Sequence, residues 1–217
     1  MTRRIILVFF LMLSLFLVLP GRSTVNSSIR VNDGDHLSES LHTVNGGIRI
    51  GCNCRISGTA RTVNGGIHVG EGSSVMGLKT VNGGIRLGQD VTVSGRLRTV
   101  NGSIHTRRGC LVDGPLSTVN GRIHLESTRV QGDVSTTTSD ITLDDHSRIT
   151  GDIRIKPRGW SFFDLFRSRR RIRVRVREGS VVEGDIINQA RRTEVTVILE
   201  NGGMVKGRVI GAQVERP

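Results

Sequence analysis

The sequence has no Tyr, one Trp and six Phe in 217 residues, and Phe9, Phe10 and Phe16 fall in the first 20. Every other aromatic (Trp160, Phe162, Phe163, Phe166) lies in one seven-residue stretch, so residues 17–159 contain none. A core without aromatics must be filled by Val, Ile, Leu and Thr, which suits thin regular layers and disfavours most irregular enzyme interiors. The three cysteines, Cys52, Cys54 and Cys110, are an odd number and too few for a disulfide framework or a four-ligand zinc site. Gly-x-Ser-x-Gly, His-Glu-x-x-His and phosphate-loop motifs are all missing.

What is present in excess is basic charge, with 31 Lys and Arg against 19 Asp and Glu. Its distribution is uneven. Residues 24–155 carry 14 basic and 12 acidic groups, residues 156–177 carry 9 and 1, and residues 178–217 carry 5 and 6. Nearly all the excess therefore sits in one short segment, which also holds the late aromatics.

Arg3 and Arg4 precede an apolar run from Ile5 to Leu19, closed by Pro20-Gly21. The run is short for a membrane span of ~20 residues and suits the apolar core of a signal peptide. Gly21 and Ser23 supply small residues for cleavage before Thr24, so residues 1–23 read as a signal peptide. The alternative is an uncleaved signal anchor, because Arg22 makes the site imperfect. In both cases the body is expected outside the cytoplasm, in the periplasm, cell envelope or extracellular space.

The dominant signal is internal repetition. Thr-Val-Asn begins at Thr24, Thr43, Thr62, Thr80, Thr99 and Thr118, with a degenerate copy at Thr136, in steps of 18 or 19 residues. Each unit reads Thr-Val-Asn-Gly-x-Ile-x-(Ile/Val/Leu), then a polar stretch, then an apolar residue, one residue and Gly. The pattern gives short strands separated by tight turns, too short for a βα unit and sufficient for one coil of a β-solenoid. The predicted fold is all-β: a single-stranded, right-handed β-solenoid (β-helix) with repeats over residues 24–155. Cys54 and Cys110 then lie three coils apart, about 14 Å, beyond disulfide reach.

Stacking turns each repeat position into a column. Asn26, Asn45, Asn64, Asn82, Asn101 and Asn120 form a structural Asn ladder, and the Gly pairs that follow (Gly46-Gly47, Gly65-Gly66, Gly83-Gly84) are expected to supply positive φ at the corner. Strict alternation places Thr and Asn inward and leaves a Val stripe outward. The residue between the two apolar positions of the Ile-x-Ile strand is Arg30, Arg49, His68, Arg86, His105 or His124, a basic column rising ~4.8 Å per coil. A second basic column comprises His42, Arg61, Lys79 and Arg98. Such columns are either a solvated face or a track for a polyanion, and stacked His are expected to titrate below ~6.5 through mutual repulsion.

Residues 156–171 interrupt the repeat as an aromatic and basic insertion loop. The sequence then alternates as Arg171-Ile172-Arg173-Val174-Arg175-Val176-Arg177, a strand with one apolar and one Arg face. Trp160, Phe162, Phe163 and Phe166 with Arg167, Arg169, Arg170, Arg171, Arg173, Arg175 and Arg177 have the composition of a contact with a membrane surface or an anionic envelope glycan or lipid. A cap on the rod end explains the aromatics equally well. Residues 172–217 are read as further solenoid coils. Asp140, Asp144, Asp145 and His146, and Asp33, Asp35 and His36, are the only acidic clusters, and both are explained by turns. No catalytic residue, metal or cofactor is assigned and no nucleic acid is expected as a partner.

The Thr-Val-Asn-Gly-x-Ile units resemble the adhesin-like β-solenoid domains of unknown function found in exported bacterial proteins. Ser180-Val181-Val182-Glu183-Gly184-Asp185-Ile186 is similar to the turn motif of the polymer-forming bactofilin family. The resemblance implies a non-enzymatic structural or adhesion scaffold of the cell envelope, with bactofilin-like end-to-end polymerisation as a further expectation; the residues themselves offer the solenoid edge or the Val stripe for self-association. Two further readings are a binding module for anionic glycan or lipid and a polysaccharide-cleaving β-helix enzyme, the latter requiring convergent carboxylates.

Overall fold

The computed structural model describes residues 21–157, 170–190 and 192–217. They form a parallel β-solenoid of about ten coils with no helix. Each regular coil contains three short strands, more than the two that the apolar pattern makes plain. The first is the Ile-x-Ile strand, as in Ile48–Ile50, Ile67–Val69 and Ile85–Leu87; its ten copies stack into one sheet. The other two, as in Thr92–Val93 and Leu97–Arg98, stack into a second sheet, and Arg55–Thr62 runs unbroken through both positions. At ~4.8 Å per rung the ten rungs make a rod roughly 45 Å long.

Successive rungs stack equivalent repeat positions over one another. Ile29, Ile48, Ile67, Ile85, Ile104, Ile123 and Ile141 pair in register, followed by Val174, Val197 and Val214. The interior Ile are buried, as are Val75, Val93 and Val112 on the second strand position and Leu78, Leu97 and Leu116 on the third. A rung thus buries three to four branched side chains at about 1.5–3 kcal/mol each. Among the described residues the buried core holds no aromatic side chain and is filled chiefly by Ile, Val, Leu and Thr.

The Thr-Val-Asn corner departs from strict alternation. Thr43, Thr62, Thr80 and Thr99 are fully buried, as expected, but the Asn residues are exposed together with the half-exposed Val that precede them. Alternation ends at Thr because the strand ends there, as in Ser40–Thr43, and Val-Asn-Gly turns the corner. Each buried Thr hydroxyl donates to a carbonyl of the preceding coil's corner: Thr62 to Gly46 at 2.7 Å, Thr80 to Gly65 at 2.7 Å, Thr99 to Gly83 at 2.8 Å. Thr136, in the degenerate copy, has no such partner among the described residues. Outside, the Asn ladder runs continuously: each Nδ2 donates to the Oδ1 one coil below at 2.8–2.9 Å from Asn45 to Asn120, and Thr138 closes it on Asn120.

The corner Gly pairs Gly46-Gly47, Gly65-Gly66 and Gly83-Gly84 do not have positive φ, contrary to the expectation. Gly46, Gly65, Gly83 and Gly102 are required by close approach, since a methyl at each would fall on the carbonyl oxygen of the coil below. Ser27 is tolerated at the equivalent place in the first coil. Positive φ occurs instead at the turn after the Ile-x-Ile strand, at Asn53, Gly72, Asp90 and Gly109. Cys54 and Cys110 are free and buried in an inward column shared with Ser73 and Ser147. Their Sγ atoms approach Asn32 O and Gly88 O at 3.0 Å, while the Ser73 hydroxyl donates to Gly51 O at 2.8 Å. Burial pushes the Cys110 thiol up, away from reactivity.

The rod begins upstream of Thr24, with Gly21–Thr24 pairing in register on Ser40–Thr43 and Arg22 bonded to Glu39 at 2.9 Å. At the other end, Met204, Ile210 and Val214 are exposed.

Candidate functional site

Trp160, Phe162, Phe163, Phe166, Arg167 and Arg169 lie outside the described residues. The strand that follows, Arg170–Val176, is an internal rung. It stacks on Ile141–Asp144 below and Thr193–Leu199 above. Pro157 and Arg170, the described residues on either side of 158–169, both adjoin this eighth rung.

The alternating Arg residues of this strand point outward, but three are tied to carboxylates of neighbouring coils. Arg171 meets Glu194 at 3.2 Å, Arg173 meets Asp140 at 3.8 Å, and Arg177 grips both oxygens of Asp144 at 2.7 and 2.9 Å. Asp144 is nearly buried, and its carboxylate also lies 3.6 Å from His124 Nδ1. Arg108 bridges Asp145 and Glu126. The acidic cluster seen in the sequence is thus the ionic fastening of the coils around the insertion, and the Arg strand is its other half. Sequence reasoning missed a similar ladder: Asp133 accepts the backbone N–H of Asp152, Asp152 that of Asp185, and Asp185 that of Arg208, all at 2.8–2.9 Å. Its signal was the recurring Gly-Asp of Gly132-Asp133, Gly151-Asp152 and Gly184-Asp185.

The first basic column is in register. Arg30 pairs with Arg49, Arg49 with His68, His68 with Arg86, Arg86 with His105 and His105 with His124. The last two rings stack at 4.8 Å, with 11° between their planes. Among the described residues no carboxylate lies within ion-pair distance of Arg30, Arg49, His68, Arg86 or His105. In the second column Arg61 pairs in register with His42 and with Lys79, and Lys79 with Arg98. His42 is the exception in being buried.

His68 titrates below its ordinary range, first because burial disfavours its charge and then because Arg49, Arg86 and Arg107 surround it. His105 is lowered by burial and by His124, with Glu126 opposing. His42 is lowered by burial and then by Arg61. Burial leads in each case, ahead of the like-charge repulsion expected from stacking. Asp152 and Asp185 are held below the usual carboxylate range, by the N–H of Asp185 with Arg154 and by the N–H and guanidinium of Arg208 respectively.

These shifts have one sign for stability. A His with a lowered folded value binds its proton less readily folded than unfolded, so stability falls as pH drops through 6.5 toward the folded value. The two Asp contribute stability above 3.8 that is lost as pH falls through their lowered values. The urea midpoint is therefore expected to decline from pH 7.5 to 5 and again below pH 4. A flat midpoint across the first interval would exclude the His contribution.

A groove of about 290 Å³ runs along the first column beside Arg30, Arg49, His68 and Arg86, floored by Gly47, Gly66 and Gly84. Among the described residues no group of His, Cys, Asp and Glu is arranged to hold a metal ion. Fold and site together define a parallel β-solenoid repeat protein with a cationic, grooved face. No family model, curated protein or solved structure matches the chain.

Proposed function

We propose that the protein is an exported, non-enzymatic structural or adhesion scaffold of the bacterial cell envelope. The observation that supports this reading is the use of the repeated residues. Thr, Asn, Gly and Ile of each unit all engage the adjacent coil, through the Thr hydroxyls, the Asn ladder, the close corner approach and the Ile column. The repeat maintains a filled rod of extended shape. The carboxylates nearest to a cluster are neutralised, Asp144 by Arg177 and Asp145 by Arg108, which does not favour a glycan-cleaving site. Self-association belongs to the same reading, with a second copy covering the exposed Val25 edge or the Met204 and Val214 end.

Cell fractionation with intact-mass measurement tests the proposal. The expected species is in the envelope or periplasm, starting near residues 21–24 or, as an anchored form, retaining residues 1–20. A cytoplasmic chain with an intact N-terminus would refute export. Sedimentation velocity over a range of concentrations is expected to show association.

A further inference from the structure

The flank of the rod carries a site that the scaffold reading does not require. In the register set by the Ile column, the residue immediately before each Ile is Ser28, Gly47, Gly66, Gly84, Ser103 and Arg122. The fold therefore accepts side chains here, including one as large as Arg. Sterically, a methyl at Gly66 would come 3.2 Å from Gly84 O, a tight but adjustable fit, and Gly66 does not have positive φ. Backbone conformation does not demand Gly at these three positions, and a methyl at each would meet the next coil at 3.0–3.2 Å, tight without being excluded. The effect of the three Gly is to open the groove floor.

The wall of this groove lies within the part of the basic column that has no carboxylate partner. Arg30, Arg49, His68 and Arg86 line it, whereas farther along the rod His124 lies 3.6 Å from Asp144. Four like-charged or titratable groups in register repel one another; Arg171, Arg173 and Arg177 are compensated by carboxylates, whereas among the described residues Arg61, Lys79 and Arg98 of the second column share the uncompensated state but adjoin no such groove. An open floor beside an uncompensated row of cations is a complementary surface for a linear anion with evenly spaced charges.

We propose that this groove binds a linear acidic glycan, laid along the rod axis with its carboxylates or sulfates facing Arg30, Arg49, His68 and Arg86. The charge step is one coil, ~4.8 Å, close to the advance of one sugar in an extended chain, and the four positions span roughly 14 Å. Duplex DNA is a poor match, because its phosphates advance ~3.4 Å per strand. The groove is lined by no aromatic residue, and its Ile29, Ile48 and Ile67 are buried, which leaves no exposed apolar side chain for insertion into lipid. Acidification protonates His68 and adds a cation to the row; Arg49, Arg86 and Arg107 are the charged groups that face it. The glycan therefore binds more tightly toward pH 5, and more weakly as salt shortens the ~8 Å screening length.

The test is isothermal titration of the full chain with a short oligogalacturonate, alongside neutral dextran, phosphatidylglycerol vesicles and duplex DNA. Two variants attack the site independently. Arg30→Ser/Arg49→Ser/Arg86→Ser removes the charges, and Gly66→Leu fills the floor with no change of charge. Each is expected to weaken oligogalacturonate binding by about tenfold or more, while Arg171→Ser leaves it unchanged. Undiminished binding by both variants would overturn the proposal, as would no binding by the wild type or preference for vesicles or DNA. If one variant fails to fold by circular dichroism, the other decides the matter. The groove does not depend on export, so a cytoplasmic location would defeat the scaffold reading and leave this one standing.

Discussion

Gly65→Ala is expected to destabilise the rod severely, by about 3 kcal/mol or more, the upper range for overpacking a site that cannot relax. The added methyl would fall on the carbonyl of Gly46, a backbone atom, and that same carbonyl accepts the Thr62 hydroxyl at 2.7 Å. Moving it would break the bond and leave a buried hydroxyl unpaired, at a further cost of about 1–3 kcal/mol. For a chain of this length the loss corresponds to a fall in melting temperature of roughly 10 °C. The neighbouring Gly66→Ala meets Gly84 O at 3.2 Å, a contact a small shift can relieve, and is expected to cost far less. Thermal melts of the two variants side by side are decisive: equal effects would mean that the corner Gly are needed for flexibility and not for approach.

Arg177→Ala is expected to be the most damaging single change on the outer surface. It would leave the Asp144 carboxylate nearly buried beside His124 without the guanidinium that bridges a separation of 33 residues across the insertion. Breaking a buried pair costs about 3–5 kcal/mol, and because Arg177 is about one-third exposed, roughly 2–3 kcal/mol is the appropriate expectation. Pairing it with Asp144→Asn removes the stranded charge, so the double variant should recover much of the loss in urea denaturation. A double variant no better than Arg177→Ala would show that the pair contributes little beyond packing of the Arg stem.

The same residues show how much of the fold was visible in the sequence. The Thr-Val-Asn spacing and the Ile-x-Ile alternation were enough to place Arg30, Arg49, His68 and Arg86 in one column. The close approach at Gly65 was not visible, because an adjacent Gly pair looks the same whether it supplies positive φ, avoids a clash or opens a groove. Gly65 and Gly66 turn out to differ by which atom lies opposite each of them one coil away. The pairing of Arg171, Arg173 and Arg177 was equally hidden. Their partners Glu194, Asp140 and Asp144 lie 23, 33 and 33 residues away, outside the regular spacing, and the insertion accounts for the two separations of 33.

The scarcity of aromatics was itself informative: with only branched aliphatic and Thr side chains recurring every 18 or 19 residues, the chain by itself determined a thin stacked coil and the inward columns of Ile, Val, Leu and Thr, though not the outward place of Asn. Local periodicity suffices for that, since each strand's two faces are fixed by alternation alone. Only the tertiary structure decided which side the Asn ladder occupies, why each corner Gly is present, which Arg are neutralised and where an uncompensated cationic groove remains. Those outcomes depend on atoms one full coil apart, and their juxtaposition exists only once the coils have closed and stacked.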